Sequence, residues 1–556
     1  MERPWLRSYP SSVPCDIPAS EFTSLQALLQ DRFQKYHDIR AFSCMGVTLT
    51  FGQVEARSRD MAAYLMTQLK LKKGDRVAVM MPNLQQYIIT ISALLRSGLV
   101  VVNVNPMYTA RELKHQLKDS GATVLVVLEN FASVVEEVQK EHPIPHVILT
   151  SIGDMFPMPK KALVNFVIRK LKKMVPAFSL PKATLFSDVL RQGKSLSVSM
   201  PRLDADDIAF LQYTGGTTGV SKGAMLSNGN LLANISQAHL WLKPHMGTQQ
   251  EVLITALPLY HIFSLTVSLT FLSFGGFNLL ITNPRDTKGF IKELRANPFS
   301  VFAGVNTLFN SLLNHPDFAS LDFSHFQVAL GGGMAVQTAV AAKWKEVTGV
   351  PITQAYGLTE TSPAVCINPL RQDFTGSIGL PLSSTWVSIR DDAGQEVPQG
   401  SPGEIWVKGP QVMVGYWQRS KETEEVLTKD GWLKTGDIAT MDAGGFVTII
   451  DRKKDMIIVS GFNVYPNEIE DVVAYHPLVK EVAVIGVPDA KTGEAVKLFV
   501  VRKDPALTEA QVREYCKEHL TGYKVPRHIE FRDDLPKSNV GKVLRRCLKE
   551  TTQLPA

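Results

Sequence analysis

The sequence predicts an α/β protein. A large, multi-layer N-terminal domain carries a β-rich subdomain at its end, and a small, mobile α+β C-terminal domain follows. Three observations carry this reading. Strand-like apolar runs alternate with helical patterns through roughly the first 450 residues, as the strands and crossover helices of a largely parallel sheet do. After about Thr375 the alternation gives way to short strands punctuated by Gly and Pro. The charged run Asp451-Arg452-Lys453-Lys454-Asp455 then precedes a compact unit of about 100 residues, an ordinary domain size. The domains are accordingly read as 1–453 and 454–556.

In chain order, Val77–Met81 and Val100–Val104 read as strands flanking Gln85–Arg96, whose apolar spacing is that of a helix packed on a sheet. Further strands follow at Val124–Leu128, Val147–Thr150, Ile208–Leu211, Val252–Ala256, Leu279–Thr282, Val301–Ala303 and Val328–Leu330. The subdomain supplies Val387–Arg390, Glu404–Lys408 and Phe446–Ile450. The C-terminal unit supplies helices at Pro466–Tyr475 and Thr508–His519, with strands at Val482–Val487 and Val496–Val501. Leu253–Ile281 holds no Asp, Glu, Lys or Arg, but Pro258 and Gly275-Gly276 divide it. Its helical piece, Ile262–Phe274, is shorter than the ~20 residues that cross a bilayer, so it is read as a buried core element.

Composition narrows the class. At 556 residues, 45% hydrophobic and 20% charged, the chain reads as a soluble, multidomain globular protein. A net charge of +6 over this length gives no reason to expect a nucleic-acid partner. Five cysteines without CxxC or His-coupled spacing read as reduced, inert thiols in a cytosolic protein. Met1–Pro10 lacks the apolar core of a signal peptide.

The chemistry is written most densely in Tyr213-Thr214-Gly215-Gly216-Thr217-Thr218-Gly219-Val220-Ser221-Lys222-Gly223, followed by Ala224. Glycines let backbone N–H groups close around an anion, while hydroxyls and an ammonium add donors, so this is a candidate polyphosphate cradle. It is not the Walker loop, because Ser221 stands where that pattern needs glycine before lysine. Tyr356-Gly357-Leu358-Thr359-Glu360 brings together a ring that can pack on a purine and a lone carboxylate suited to Mg²⁺ beside triphosphate. Gly331-Gly332-Gly333 is either a tight turn or a ligand-facing loop.

These segments, with Trp432-Leu433-Lys434-Thr435-Gly436-Asp437, the charged run 451–455 and Pro536-Lys537-Ser538-Asn539-Val540-Gly541-Lys542, resemble the adenylate-forming superfamily in content and order. The resemblance is closest to bacterial long-chain fatty acyl-CoA synthetases, through 431–438, Met456–Pro466, Leu257-Pro258-Leu259-Tyr260-His261 and Asn103-Val104-Asn105-Pro106. It implies a ligase that uses ATP, Mg²⁺ and CoA to activate a long-chain fatty acid. Thr214, Gly216, Thr217, Thr218 and Lys222 would then hold the β- and γ-phosphates. Tyr356 would pack on adenine beside Gly331–Gly333, Thr359 and Glu360 would face the α-phosphate and Mg²⁺, and Asp437 and Arg452 would bind the ribose diol. Lys542 would be the catalytic lysine, Lys454 the hinge, and Gly461 the point where the pantetheine arm passes. His261 is read either as a hydrogen-bonded core histidine or as a wall of the acyl pocket.

Lys160–Val175 has no acidic residue. As a continuous helix it would gather Leu163, Phe166, Val167, Leu171 and Met174 on one face, with Lys161, Asn165 and Lys172 opposite. Such a helix either packs on the core or lies on anionic lipid, which would place the enzyme peripherally on the cytoplasmic face of the inner membrane. A ligase for a medium-chain or aryl acid, an acyl-AMP ligase serving a carrier protein, and a fatty-acid-binding protein remain as rivals, and a homodimer stays open.

Overall fold

The computed structural model describes residues 3–214, 221–460, 462–489, 491–538 and 541–553. Two large sheets dominate. One has eight strands, and its parallel portion runs through Ile208–Thr214, Val100–Asn103, Arg76–Met80, Val124–Leu128 and His146–Thr150. The other has nine, with Ile352–Gly357, Val328–Gly331, Val301–Gly304, Val252–Thr255, Phe277–Leu280 and Arg40–Cys44 parallel. Helices lie between the sheets. A single apolar cluster joins Val77, Val101 and Phe210 of the first sheet to Phe42 and Leu280 of the second through Leu28, Ile88 and Leu265.

The apolar stretch after Leu253 is interior, as strand Val252–Thr255, helix Ile262–Ser273 and strand Phe277–Leu280. Its hydroxyls find partners inside the protein: Ser264 donates to the Leu257 carbonyl at 2.7 Å and Thr266 to the Ser362 carbonyl at 2.9 Å. Among the described residues no helix is long and apolar enough to cross a membrane. The last strand begins two residues earlier than its apolar run predicts. Polar Asn278 breaks that run, yet it sits inside the sheet opposite Leu253.

The subdomain is a four-stranded antiparallel sheet of Trp386–Arg390, Gly403–Lys408, Leu433–Met441 and Val447–Arg452. A five-stranded sheet follows, in which Val479–Asp489 pairs with Gly493–Arg502 and helices Pro466–Ala474 and Glu509–His519 attach. Thr508 is the N-cap of the second helix and not its first turn; its side chain accepts from the Gln511 N–H. The apolar clusters of this unit draw only on residues beyond 456, and none of the other clusters reaches past 449.

Polar groups join the two parts. The buried Asp451 carboxylate accepts from the Asn467 N–H at 2.8 Å and lies 3.5 Å from Arg545. Arg545 also pairs with Glu470 at 2.8 Å and donates to the Asn467 Oδ1 at 2.6 Å.

The segment from Lys160 departs from the expected continuous helix. An α-helix over Lys160–Phe166 passes into a π-helical turn over Val167–Leu171 and stops. Asn165, expected opposite the apolar residues, does lie away from them, but it is buried and accepts from the Gly153 N–H at 2.8 Å. Ile168 is buried beside it, while Leu163, Phe166, Leu171 and Met174 face solvent. The wide π turn changes the register that a uniform 3.6-residue period assumes. Of the cysteines, Cys44, Cys366 and Cys516 are buried, with burial pushing the Cys44 and Cys516 thiols up to about 11. Cys15 is exposed and Cys547 half-buried.

Candidate active site

The Gly/Thr-rich loop joins two antiparallel strands, Ile208–Thr214 and Lys222–Ser227, with Thr214 paired to Lys222 and Tyr213 to Gly223. Gly215, Gly216, Thr217, Thr218, Gly219 and Val220 lie outside the described residues. At the loop's base the Ser221 hydroxyl donates to the Thr214 carbonyl at 2.7 Å. Tyr213 is buried, and its hydroxyl donates to Asp119 at 2.7 Å. Burial and then the Asp119 carboxylate hold the Tyr213 phenol well above its usual range. A side chain at Gly223 would approach the Tyr213 ring within 3.0 Å, and Ala224 is wholly buried, so these two positions offer the loop backbone and packing.

Lys222 reaches toward the Tyr416 ring, its Nζ 4.8 Å from the centroid. The Tyr416 hydroxyl in turn donates to Glu360 Oε1 at 2.7 Å, and burial followed by that carboxylate raises the Tyr416 phenol. The ammonium of the loop and the lone carboxylate of 356–360 therefore share one tyrosine, which sequence reasoning missed. Thr359 opens the short 3₁₀ turn Thr359–Thr361 that presents Glu360. Gly357 must be glycine: a Cβ there would lie 1.9 Å from the Pro363 carbonyl oxygen.

Asp437 and Arg452 are cross-strand neighbours in the subdomain sheet, with Arg452 Nε 3.0 Å from Asp437 Oδ1. Asp437 is only 3% exposed, and the Tyr356 hydroxyl donates to its other oxygen at 2.6 Å. Burial and then Asp437 push the Tyr356 phenol well up, while Asp437 holds the Arg452 guanidinium above its ordinary value. Gly331–Gly333 leaves the strand Val328–Gly331 next to Tyr356's own strand. A Cβ at Gly332 would meet the Phe263 ring at 3.0 Å and the Ala355 carbonyl at 3.2 Å.

His261 is the half-buried N-cap of the helix Ile262–Ser273. Its loop is pinned by buried amides: Asn83 donates to the carbonyls of Thr255 and Leu257 at 2.9 Å, and Gln212 donates to that of Tyr260 at 2.7 Å. Burial, then the Lys542 ammonium, lowers the His261 pKa. The core-histidine reading supposed a hydrogen-bonded ring, yet among the described residues the His261 ring has no hydrogen-bond partner. The charge that acts on it is that of Lys542 in the C-terminal unit.

That charge arrives on a tight turn. The Lys542 N–H donates to the Ser538 hydroxyl at 3.1 Å, and the Lys542 carbonyl accepts from the Ser538 N–H at 2.7 Å. Gly541 has φ +80°, and a side chain there would lie 2.2 Å from the Thr307 hydroxyl on the large part, so only glycine allows this approach. Burial, then repulsion by Arg452, lowers the Lys542 ammonium to about 8, with Asp437 opposing. Lys454 lies in an exposed turn between the two sheets, and Gly461 lies outside the described residues.

A family model described as AMP-binding enzyme matches residues 29–417, and one described as AMP-binding enzyme C-terminal domain matches 468–542. The chain belongs to the AMP-binding enzyme family. Among related AMP-binding enzymes, a long-chain-fatty-acid–CoA ligase of Escherichia coli is 54% identical, covering 99% of this chain and 98% of the relative. One of Haemophilus influenzae is 50% identical with the same coverage, 99% and 98%. The crystal structure of ATP-bound MatB from Rhodopseudomonas palustris superposes with a TM-score of 0.78 at 30% identity, covering 95% of this chain and 99% of that one. The layered α/β architecture with a small C-terminal unit is thus that of AMP-binding enzymes.

Proposed function

We propose that this chain is a long-chain-fatty-acid–CoA ligase, which forms acyl-AMP and pyrophosphate from fatty acid and ATP and then transfers the acyl group to CoA. The observation that carries this is the turn ending in Lys542, which Gly541 seats against Thr307 of the large part so that the lysine's charge is felt by Arg452, Asp437 and His261. A relative 54% identical over nearly the whole chain, named for this activity, supports the substrate class.

In the first step a fatty carboxylate oxygen attacks the α-phosphorus, and the bond to pyrophosphate breaks. Both partners are anionic, so the Lys542 ammonium offsets their repulsion and stabilises the charge that develops. Thr214, Gly216, Thr217, Thr218 and Lys222 hold the β- and γ-phosphates. Tyr356 and Gly331–Gly333 receive adenine, Asp437 and Arg452 the ribose diol, and Thr359 the α-phosphate. Glu360 would hold Mg²⁺. Its Oε1 is occupied by Tyr416, and among the described residues no group of three His, Cys, Asp or Glu could hold a metal. A lone carboxylate beside a triphosphate suits Mg²⁺, which when bound would neutralise phosphate charge. In the second step the CoA thiol attacks the acyl carbon and AMP departs, with the pantetheine arm passing Gly461. The unit carrying Lys542 begins at 454, and the enzyme works peripherally on the cytoplasmic face of the inner membrane.

Two measurements test this reading. AMP release with CoA should peak at long chains across fatty acids of increasing length; inactivity on all of them would remove the ligase reading. Lys542 should also leave a mark on the pH profile. With its pKa lowered to about 8, the ammonium is present below that pH and lost above it. Adenylation kcat/KM, followed by pyrophosphate exchange, should therefore fall as pH rises through about 8. Lys542→Arg, which stays protonated, should flatten that limb. An unchanged limb in the arginine variant would assign it to another group.

A further inference from the structure

We infer that the outward face of residues 158–174 is a docking surface for an anionic lipid bilayer. This deepens the ligase reading by naming where the protein meets the membrane into which its substrate partitions. Among the described residues, five of the large hydrophobics that face water fall in this short stretch: Met158 at 71% exposed, Leu163 at 63%, Phe166 at 55%, Leu171 at 68% and Met174 at 48%. An ordinary soluble surface scatters such residues singly.

Charge is gathered in the same place. Between Asp154 and Asp188 there are six lysines and one arginine and no acidic residue, more positive charge than the formal +6 of the whole chain. The basic groups divide by role. Lys161 pairs with Asp154 at 3.2 Å, and Arg169 pairs with the buried Glu129 at 2.6 Å and donates to the Ser151 hydroxyl at 2.9 Å. Lys160 donates to the Met45 carbonyl. Lys170, Lys172 and Lys173 are exposed, and none forms an ion pair among the described residues.

The surface is held in this orientation. Asn165 is fixed to the Gly153 N–H, Ile168 is packed in the main core, and the Asn130 side chain donates to the Met174 carbonyl at 3.0 Å. With the inner side of the turn already committed, the apolar residues have no route inward. Uncompensated lysines beside protruding apolar side chains fit a layer that is anionic at its surface and hydrocarbon beneath. A protein interface of the same area would ask its partner for a dense acidic rim around an apolar centre.

The test is co-sedimentation of the full chain with vesicles of phosphatidylglycerol and phosphatidylcholine, or of phosphatidylcholine alone, at low and high salt. Wild type should bind the anionic vesicles at low salt and bind neutral ones far less. Lys170→Glu with Lys173→Glu should weaken anionic binding at least tenfold. Phe166→Ser with Leu171→Ser should remove the part of binding that survives high salt. Both variants change exposed side chains and should keep wild-type melting temperature and activity on detergent-dispersed fatty acid. Unchanged sedimentation of both variants, or equal wild-type binding to the two vesicle types, would overturn the inference. So would a serine variant that alters only self-association by sedimentation velocity, which would make the face a contact between copies. Vesicle binding that behaves as expected in a protein unable to make acyl-CoA would remove the ligase reading and leave the surface standing.

Discussion

Lys542→Ala is expected to lower adenylate formation by about 10²–10³-fold, the usual cost of losing one group aimed at developing charge. Thioester formation from supplied acyl-adenylate and CoA should change far less. The asymmetry follows from where the ammonium sits: its turn is seated against Thr307, and its charge interacts with Arg452, Asp437 and His261, the first two proposed to hold the ribose. Negative charge builds there when carboxylate meets phosphate, but not when a thiol attacks an acyl carbon. Pyrophosphate exchange and single-turnover acyl transfer separate the two steps. Equal losses in both would show that Lys542 serves the fold or both reactions alike, and the assigned division of labour would fail.

Lys454→Pro should do the reverse. Proline fixes φ near −65° and so resists the backbone rotation that a hinge must make. In the turn itself, Lys453 donates its N–H to Gly436, and Asp455 and Met456 donate theirs to Arg452, while among the described residues no backbone bond is donated by Lys454. Among the described residues proline therefore removes no backbone hydrogen bond from this orientation, and adenylation should survive. On the proposed reading, the thioester step has the small domain turn about Lys454. A barrier raised by only about 1.4 kcal/mol would slow that step about tenfold. Stopped-flow measurement of acyl transfer beside pyrophosphate exchange tells the two apart, and matched losses or none would make Lys454 a plain surface residue.

The two predictions rest on motifs that could be read directly, because their residues are adjacent in the chain. Strands with continuous apolar runs were equally legible: Val124–Leu128 occupies its expected bounds. What escaped was set by distant contacts. Gly415–Tyr416 is a two-residue strand formed only by pairing with Met225 and Ala224, and no local pattern announces it. Tyr416, which links Lys222 to Glu360, sits on that strand, so this part of the site was invisible. The stretch at 160–175 departs from a continuous helix for a different reason. Its composition sets apolar and polar side chains on opposite faces, but a uniform helical period cannot foresee a π turn or the amide tether of Asn165.

The polar join at Asp451, Asn467 and Arg545 bears on what a moving domain leaves behind. Among the described residues no apolar cluster straddles the join, so the proposed swing of the C-terminal unit would uncover ions and amides that water can solvate, not oily surface. Hydrophobic area is the main term that would otherwise tie one orientation far below another. If the proposed hinge operates, a seam stitched by charge could be undone and remade at each turnover with little net change in free energy. It also gives a neighbouring chain nothing sticky to seize while the enzyme stands open.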